Sequence, residues 1–399
     1  MRWFDRLFHR RGVALKGFHS FSDLIGAETS AGIAVTPEKA LTVPAVFSCI
    51  QVLSQDVAKA PIRLRQKVGA DSYIDATDHD LYELLHDLPN PETSAFTFKQ
   101  MLMHDLLTSE RAFAQIVRVN GRVTALWRLD PHRMTVDRDE ARRKRYRYTD
   151  ARGQTMTWLF DASMPPIFEL LHPSPLRYCR ELIGTALALQ SYTGLFFSQG
   201  ARLSGVLQTD KTLSPTSVER LRESFRALYS GLQNAHSTAV LEDGMKFQPI
   251  SAENDAAQLN ETQANINQMI AGTFRVPTWK IGDLTKTSYA NMEAGELAYV
   301  GSTLDPFFQL WEDAIRRDLL TVRQFGQFTV TFDRSALLRS DMKSLHDALA
   351  VGRQNGIYST NDCRRTLGLN PVEGGDQYQM NGNMVSIDAP TDGGSTNGQ

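Results

Sequence analysis

The side chains of this chain best suited to chemistry are cations, and they gather in two places. One is the stretch 138–148, RDEARRKRYRY, in which arginines and a lysine alternate with two tyrosines. Clustered cations beside aromatic rings suit a nucleic-acid surface. They suit equally a solvated hairpin turn with alternating arginines facing water, and Asp139 and Glu140 within the cluster favour that second reading. The other place is the segment 278–287, a short glycine-containing run that carries Lys280 and Lys286, with Arg275 just ahead of it. Taken alone, these lysines read as solvated loop residues.

Catalytic arrangements are missing from the sequence. There is no GxxxxGK[ST] phosphate loop, no GxGxxG, no HExxH and no GxSxG. The nine histidines are scattered; His132, His172 and His236 each sit by a turn without a partner at ligand spacing, and read as surface or capping residues. Cys49, Cys179 and Cys363 are far apart and odd in number, so free thiols in a reducing cytoplasm are expected rather than a disulfide framework or a zinc site. No catalytic residues, no metal and no cofactor are expected, and the chain reads as a non-enzyme.

Composition sets wide limits. The 399 residues are 42% hydrophobic and 22% charged, enough for a sizeable core in two or three domains, and the formal net charge of −2 gives no hint of a nucleic-acid partner. No apolar run reaches the roughly 18–20 residues of a membrane span. The start, MRWFDRLFHRR, has no apolar core behind it and is not a secretory signal. Trp3, Phe4, Leu7 and Phe8 would share one helix face, and a mobile or partner-bound terminus is expected.

The elements that must position the cations follow from periodicity. The run 12–39 is rich in small residues and reads as loosely ordered. A helix starts near Thr42 as N-cap, with Pro44 in its first turn, and ends at Pro61, where a strand begins. Short helices follow at 79–88 and 97–108. Runs 112–119 and 123–129 flank Asn120-Gly121, a strong hairpin signal. Further short strands are predicted at 134–136, 146–148 and 156–159, while 164–171 is ambiguous. Thus 60–171 is an α+β module with an antiparallel sheet. The helix 182–199 is apolar or small on nearly every side, which predicts burial all round or packing against other chains. A small α/β insertion, 201–250, contains a strand at 206–208, a helix at 216–229 and a hairpin of 238–241 with 246–250. A polar helix dominated by Gln and Asn spans 255–274, and a long one spans 289–320, with irregularity predicted at Gly295, Gly301 and Pro306. A strand at 328–332 and helices at 343–355 and 360–367 complete the order; the tail after Pro390 reads as disordered.

In this order, six segments carry a resemblance. They are VPAVFSCIQVLSQDVAKAPIRL at 43–64, LPNPETSAFTFKQMLMHDLLTSERAFAQIVR with the following GRVTALWRLDPHRMTV, TFRVPTWKIGD at 273–283, SYANMEAGELAYVGSTLDPFFQLWEDAIRRDLL at 288–320, FTVTFDRSALLRSD at 328–341 and NGIYSTNDCRRTLGLNPVEGGD at 355–376. Together they resemble the HK97-type portal proteins of tailed phages over about residues 40–380. The chain departs locally: Ser109-Glu110-Arg111 stands where Gly-Asn-Ala is common, and Asn361-Asp362-Cys363 precedes Arg364 where Asn-Glu is common.

The resemblance implies an α+β portal fold assembled as a ring. Its parts would be an antiparallel-sheet wing (41–175 and 289–342), a two-helix stem (176–200 and 255–276), a small α/β clip (201–254), a tunnel loop (277–288) and a helical crown (343–380). It implies a dodecameric ring around non-specifically held double-stranded DNA, with terminase large subunit, head-tail adaptor, major capsid and scaffolding proteins as partners. The place implied is the portal vertex of the virion, after assembly in the host cytoplasm. It also turns the loop cations into expected DNA contacts: Lys280 and Lys286, supported by Thr285 and Thr287, and Arg275 at the inner end of the stem. The competing expectations are another phage head or baseplate component without a channel, and an enzyme such as a nuclease or packaging ATPase, which would need a phosphate loop or metal-binding acidic set.

Overall fold

The computed structural model describes residues 29–69, 72–198, 205–209, 214–229, 245–249, 256–284, 289–334, 337 and 342–379. The chain divides into two compact units, 1–333 and 334–399.

In the first unit, α1 (Pro37–Ala40) leads into α2 (Pro44–Lys59). The N-cap of α2 is Val43, without a side-chain cap, and not Thr42 as predicted. Thr42 donates its hydroxyl backward to the carbonyl of Lys39, closing α1 instead. Proline at the first helical position needs no donor there, so α2 tolerates an uncapped start. Part of the run read as loosely ordered is also built in. Thr29 is buried, and the amide of Ser30 donates to Glu181 at 2.8 Å.

β1 (Ile62–Lys67) and β2 (Tyr73–Asp75) precede α3 (Asp80–His86) and α4 (Ala95–Ser109). Glu110 ends α4 in the left-handed region, at φ 64°, one of the positions where the sequence departs from the family pattern. Arg177 pairs with its carboxylate at 3.2 Å. β3 (Arg111–Val119) and β4 (Arg122–Leu129) form the predicted hairpin. Asn120 and Gly121 both take positive φ, 52° and 79°, as a two-residue turn of this hand requires. β5 (Met134–Arg138), β6 (Lys144–Thr149) and β7 (Thr155–Leu159) follow the predicted strands, and the ambiguous segment resolves as β8 (Ile167–Leu171), paired with β3.

Next come α5 (Pro175–Tyr178), α6 (Arg180–Ser198), β9 (Gly205–Gln208), α7 (Pro215–Tyr229), β10 (Lys246–Pro249) and α8 (Ala256–Phe274). β10 pairs antiparallel with β9, flanking α7 in sequence. The predicted strand 238–241 lies outside the described residues. The long helix is interrupted at Gly301 and just before Pro306, as predicted, but not at Gly295, which lies within α9: the order is α9 (Tyr289–Tyr299), a π-helical turn Val300–Leu304, then α10 (Asp305–Asp318). β11 (Phe328–Phe332) completes the unit by joining β1 in the order β11-β1-β2. The other sheets run β4-β3-β8, β5-β6-β7 and β10-β9, all antiparallel, which bears out the mixed α+β expectation.

α10 holds the core together. Trp311 packs on Phe168 of β8 and donates to the sulfur of Met103 on α4 at 3.2 Å; Phe308 stacks on Phe332 of β11. Buried charge reinforces this. Glu169 of β8 accepts from Tyr146 at 2.9 Å and pairs with Lys144, and its amide donates to Asp318 of α10. A buried carboxylate needs such partners.

The second unit contains α11 (Met342–Gln354) and α12 (Thr360–Thr366). Ser359 and Asp362 form a reciprocal capping box at the start of α12, at the position where Asp replaces the family's Glu.

Candidate nucleic-acid interface

The two cation-rich places fare differently. In the hairpin β5–β6, Arg145 and Arg147 both bind Asp137, at 2.7 Å and 2.5 Å, and Arg143 binds Asp139 at 2.9 Å. Lys144 turns inward to Glu169. The arginines hold Asp137 and Asp139 well below the usual carboxylate range. Arg143, Arg145 and Arg147 are thus ion-paired within the hairpin and Lys144 is paired to β8, which is closer to the solvated-turn reading than to a free cationic surface.

The segment that leads from α8 to α9 is built in three steps. First, α8 closes on Arg275. The amide of Arg275 donates to Gly272 at 3.1 Å and that of Val276 to Ala271 at 2.9 Å, a Schellman motif with Arg275 at its left-handed position, φ 56°. Glycine is the usual occupant, since a side chain here costs on the order of 1 kcal/mol. The Arg275 side chain is exposed. Its carbonyl accepts from Thr303 of the π turn at 2.9 Å.

Second, Pro277 starts the 3-10 turn Thr278–Ile281. Lys280 lies here, and the structure directs it away from solvent. Its Nζ pairs with Glu296 of α9 at 2.9 Å and with Asp56 of α2 at 3.3 Å. It also lies 4.5 Å from the ring centre of Tyr299 and 5.0 Å from that of Trp279. Asp56 is 8% exposed and accepts further from Tyr299 at 3.2 Å and Lys59 at 3.0 Å. Burial, then the carboxylate of Asp56, push the Tyr299 phenol far above its ordinary range, so it is a permanent donor. Lys280 is thus neither the solvated loop lysine nor the free DNA-facing cation expected of it. Its partners are 224 and 16 residues away in sequence, which no local pattern could reveal.

Third, Gly282 takes φ 98°, the amide of Asp283 returns to Thr278 at 3.0 Å, and the chain leaves through the exposed Leu284. Thr285, Lys286 and Thr287 lie outside the described residues.

His172, read from sequence as a surface or capping residue, stands against Phe307 with ring centres 5.0 Å apart. Burial, with the charge of Arg275 nearby, holds its imidazole below the ordinary range. Among the described residues, no group of three or more His, Cys, Asp or Glu side chains could hold a metal ion, and no helix is long and apolar enough to cross a membrane.

Comparison with known proteins agrees with this architecture. The model of the family described as "Phage portal protein" matches residues 44–368. The "Probable portal protein" of Streptomyces phage phiC31 is 31% identical over 384 residues, 91% of this chain and 83% of that protein. Among solved structures, an HK97 family phage portal protein from Corynebacterium diphtheriae is similar with a TM-score of 0.57 at 17% identity, covering 77% of this chain and 99% of that one. A chain in the neck of a native gene transfer agent particle, computed with C12 symmetry, is similar with a TM-score of 0.53 at 21% identity, covering 84% and 95%.

Proposed function

The chain belongs to the phage portal protein family, and from that membership we propose that twelve copies form a ring whose channel passes double-stranded DNA during packaging and ejection. The observation that carries this is the 31% identity to the phiC31 protein across 91% of the chain. Gene transfer agent necks computed with C12 and with C6 symmetry are both compatible with twelve subunits. The ring would sit at the portal vertex of the virion after assembly in the host cytoplasm. Its partners would be the terminase large subunit, a head-tail adaptor, and the major capsid and scaffolding proteins.

In this reading α6 and α8 are the stem, β9, α7 and β10 belong to the clip, and 277–288 is the tunnel loop. The three other sheets with α9, the π turn and α10 form the wing, and the second unit contains the crown. The DNA contacts are Arg275, Thr285, Lys286 and Thr287. DNA must slide, so contact should be to phosphates, without sequence reading and with few cations, since each adds salt-dependent affinity. A net charge of −2 fits a conduit that holds its cargo loosely.

The test is the purified full-length chain viewed by negative-stain microscopy and weighed by native mass spectrometry. A twelve-subunit ring with a central hole is the expected result. A chain that stays monomeric across a wide range of concentration and salt would overturn the reading.

A further inference from the structure

Lys280 is the side chain of the α8–α9 connection whose position the structure explains most fully. Three parts of the chain meet at its ammonium: α2 through Asp56, α9 and its end through Glu296 and Tyr299, and its own turn through the ring of Trp279. The side chain is 14% exposed. Two cations, Lys59 and Lys280, face two carboxylates, Asp56 and Glu296, so the cluster is balanced in charge. A cation so enclosed reaches a phosphate only if the cluster opens, and opening leaves two carboxylates without it.

What the cluster does mechanically follows from where Lys280 stands. It lies in the turn Thr278–Ile281, directly after the Schellman end of α8 and directly before Gly282, where the backbone becomes free to turn. Trp279 also rests on α9: a Cβ at Gly295 would lie 3.6 Å from its indole nitrogen. The root of the connection is therefore tied to α2 and α9 by charge and by ring packing, and the chain becomes exposed again beyond it, at Gly282 and Leu284.

We propose that Lys280 is a positioning residue that fixes the root of the DNA-facing loop, and that it does not itself grip DNA. This rests on the portal reading of 277–288. A loose root would move with the DNA; a root held by ion pairs fixes the point, at Gly282, from which the chain leaves toward the rest of the loop.

The experiment uses the assembled full-length ring and compares Lys280→Met, Glu296→Gln and Lys280→Arg. Two readouts are taken: amide hydrogen exchange of 278–284 without DNA, and DNA packaged per particle. A positioning role predicts that Lys280→Met and Glu296→Gln act alike. Each should raise exchange at the amides of Lys280 and Asp283 by about tenfold or more and reduce packaged DNA. Lys280→Arg should restore both. Glu296→Gln is the discriminating variant, because it keeps the lysine and removes one of its two carboxylates: a DNA-gripping Lys280 would then package as well as the wild type or better. Wild-type exchange in both variants overturns the anchor. Raised exchange with wild-type packaging keeps the anchor and overturns the portal reading of this loop.

Discussion

Thr303 donates its hydroxyl to the carbonyl of Arg275 at 2.9 Å, and so joins the π turn of the long helix to the end of α8. Thr303 lies within that π turn and is 5% exposed. Thr303→Val keeps the shape and removes the donor, leaving a half-buried carbonyl without this partner. The expected loss is about 1–2 kcal/mol in urea unfolding. A midpoint equal to that of the wild type would show that the bond contributes nothing.

Lys99 gives a pH-dependent prediction. It is 5% exposed, and its ammonium donates to the carbonyl of Ala60 at the end of α2, at 2.7 Å. Burial pushes its pKa down to about 8, against about 10.4 in an unfolded chain. Between these values the unfolded chain binds more protons, so stability should rise as pH increases from about 8 to about 10. The gain is at most about 3 kcal/mol. Thermal unfolding of the wild type and Lys99→Met across this range should converge toward high pH; parallel curves would contradict the shift.

Gly184 on α6 approaches the N-terminal segment closely. A Cβ there would lie 2.4 Å from the hydroxyl oxygen and 2.8 Å from the Cβ of Thr29. Gly184→Ala improves the helix by up to about 1 kcal/mol yet cannot coexist with Thr29 in place. The two effects separate by location. Hydrogen exchange should quicken at the amide of Ser30, which bonds to Glu181, while α6 itself is no less protected. Unchanged exchange at Ser30 would mean that the segment is not seated on Gly184.

The amides of α8 bear on assembly. Gln263 donates to Asn267 one turn on, at 3.3 Å, along a helix whose residues are largely exposed. Gln263 and Asn267 are themselves half-buried, and amides that pair along the helix can bond across to a neighbour without bringing in charge. Replacing Gln263 and Asn267 by Ala should lower the fraction of assembled ring in native mass spectrometry. An identical distribution of oligomers would remove these amides from the interface.

The sequence made local structure legible where one residue type decides it. Asn120-Gly121 named the hairpin because both positions need positive φ, and Gly301 with Pro306 marked the break in the long helix. Thr42 misled, because a hydroxyl beside Pro44 can serve the preceding helix as readily as the following one. The β8 strand stayed ambiguous because a short apolar run has no periodicity to separate strand from helix. For the candidate site, the turn and its cations were legible but the function of Lys280 was not. The one local trace was Trp279 beside it, an aromatic ring in a short connecting turn.

The π turn also bears on how the length of this chain can change over evolutionary time. Buried Tyr299 and Leu304 are five positions apart, whereas Leu304, Phe308, Trp311 and Ile315 repeat at four, three and four. Counting one residue fewer between 300 and 304 restores an uninterrupted helical repeat from Tyr299 through Ile315. The turn thus carries one removable residue. A deletion there would leave Phe308 and Trp311 on the face they now occupy, while a deletion one turn later, within α10, would swing every following side chain by about 100°. Gain or loss of a single residue in this helix has one tolerant address, and its cost there is the bond between Thr303 and Arg275.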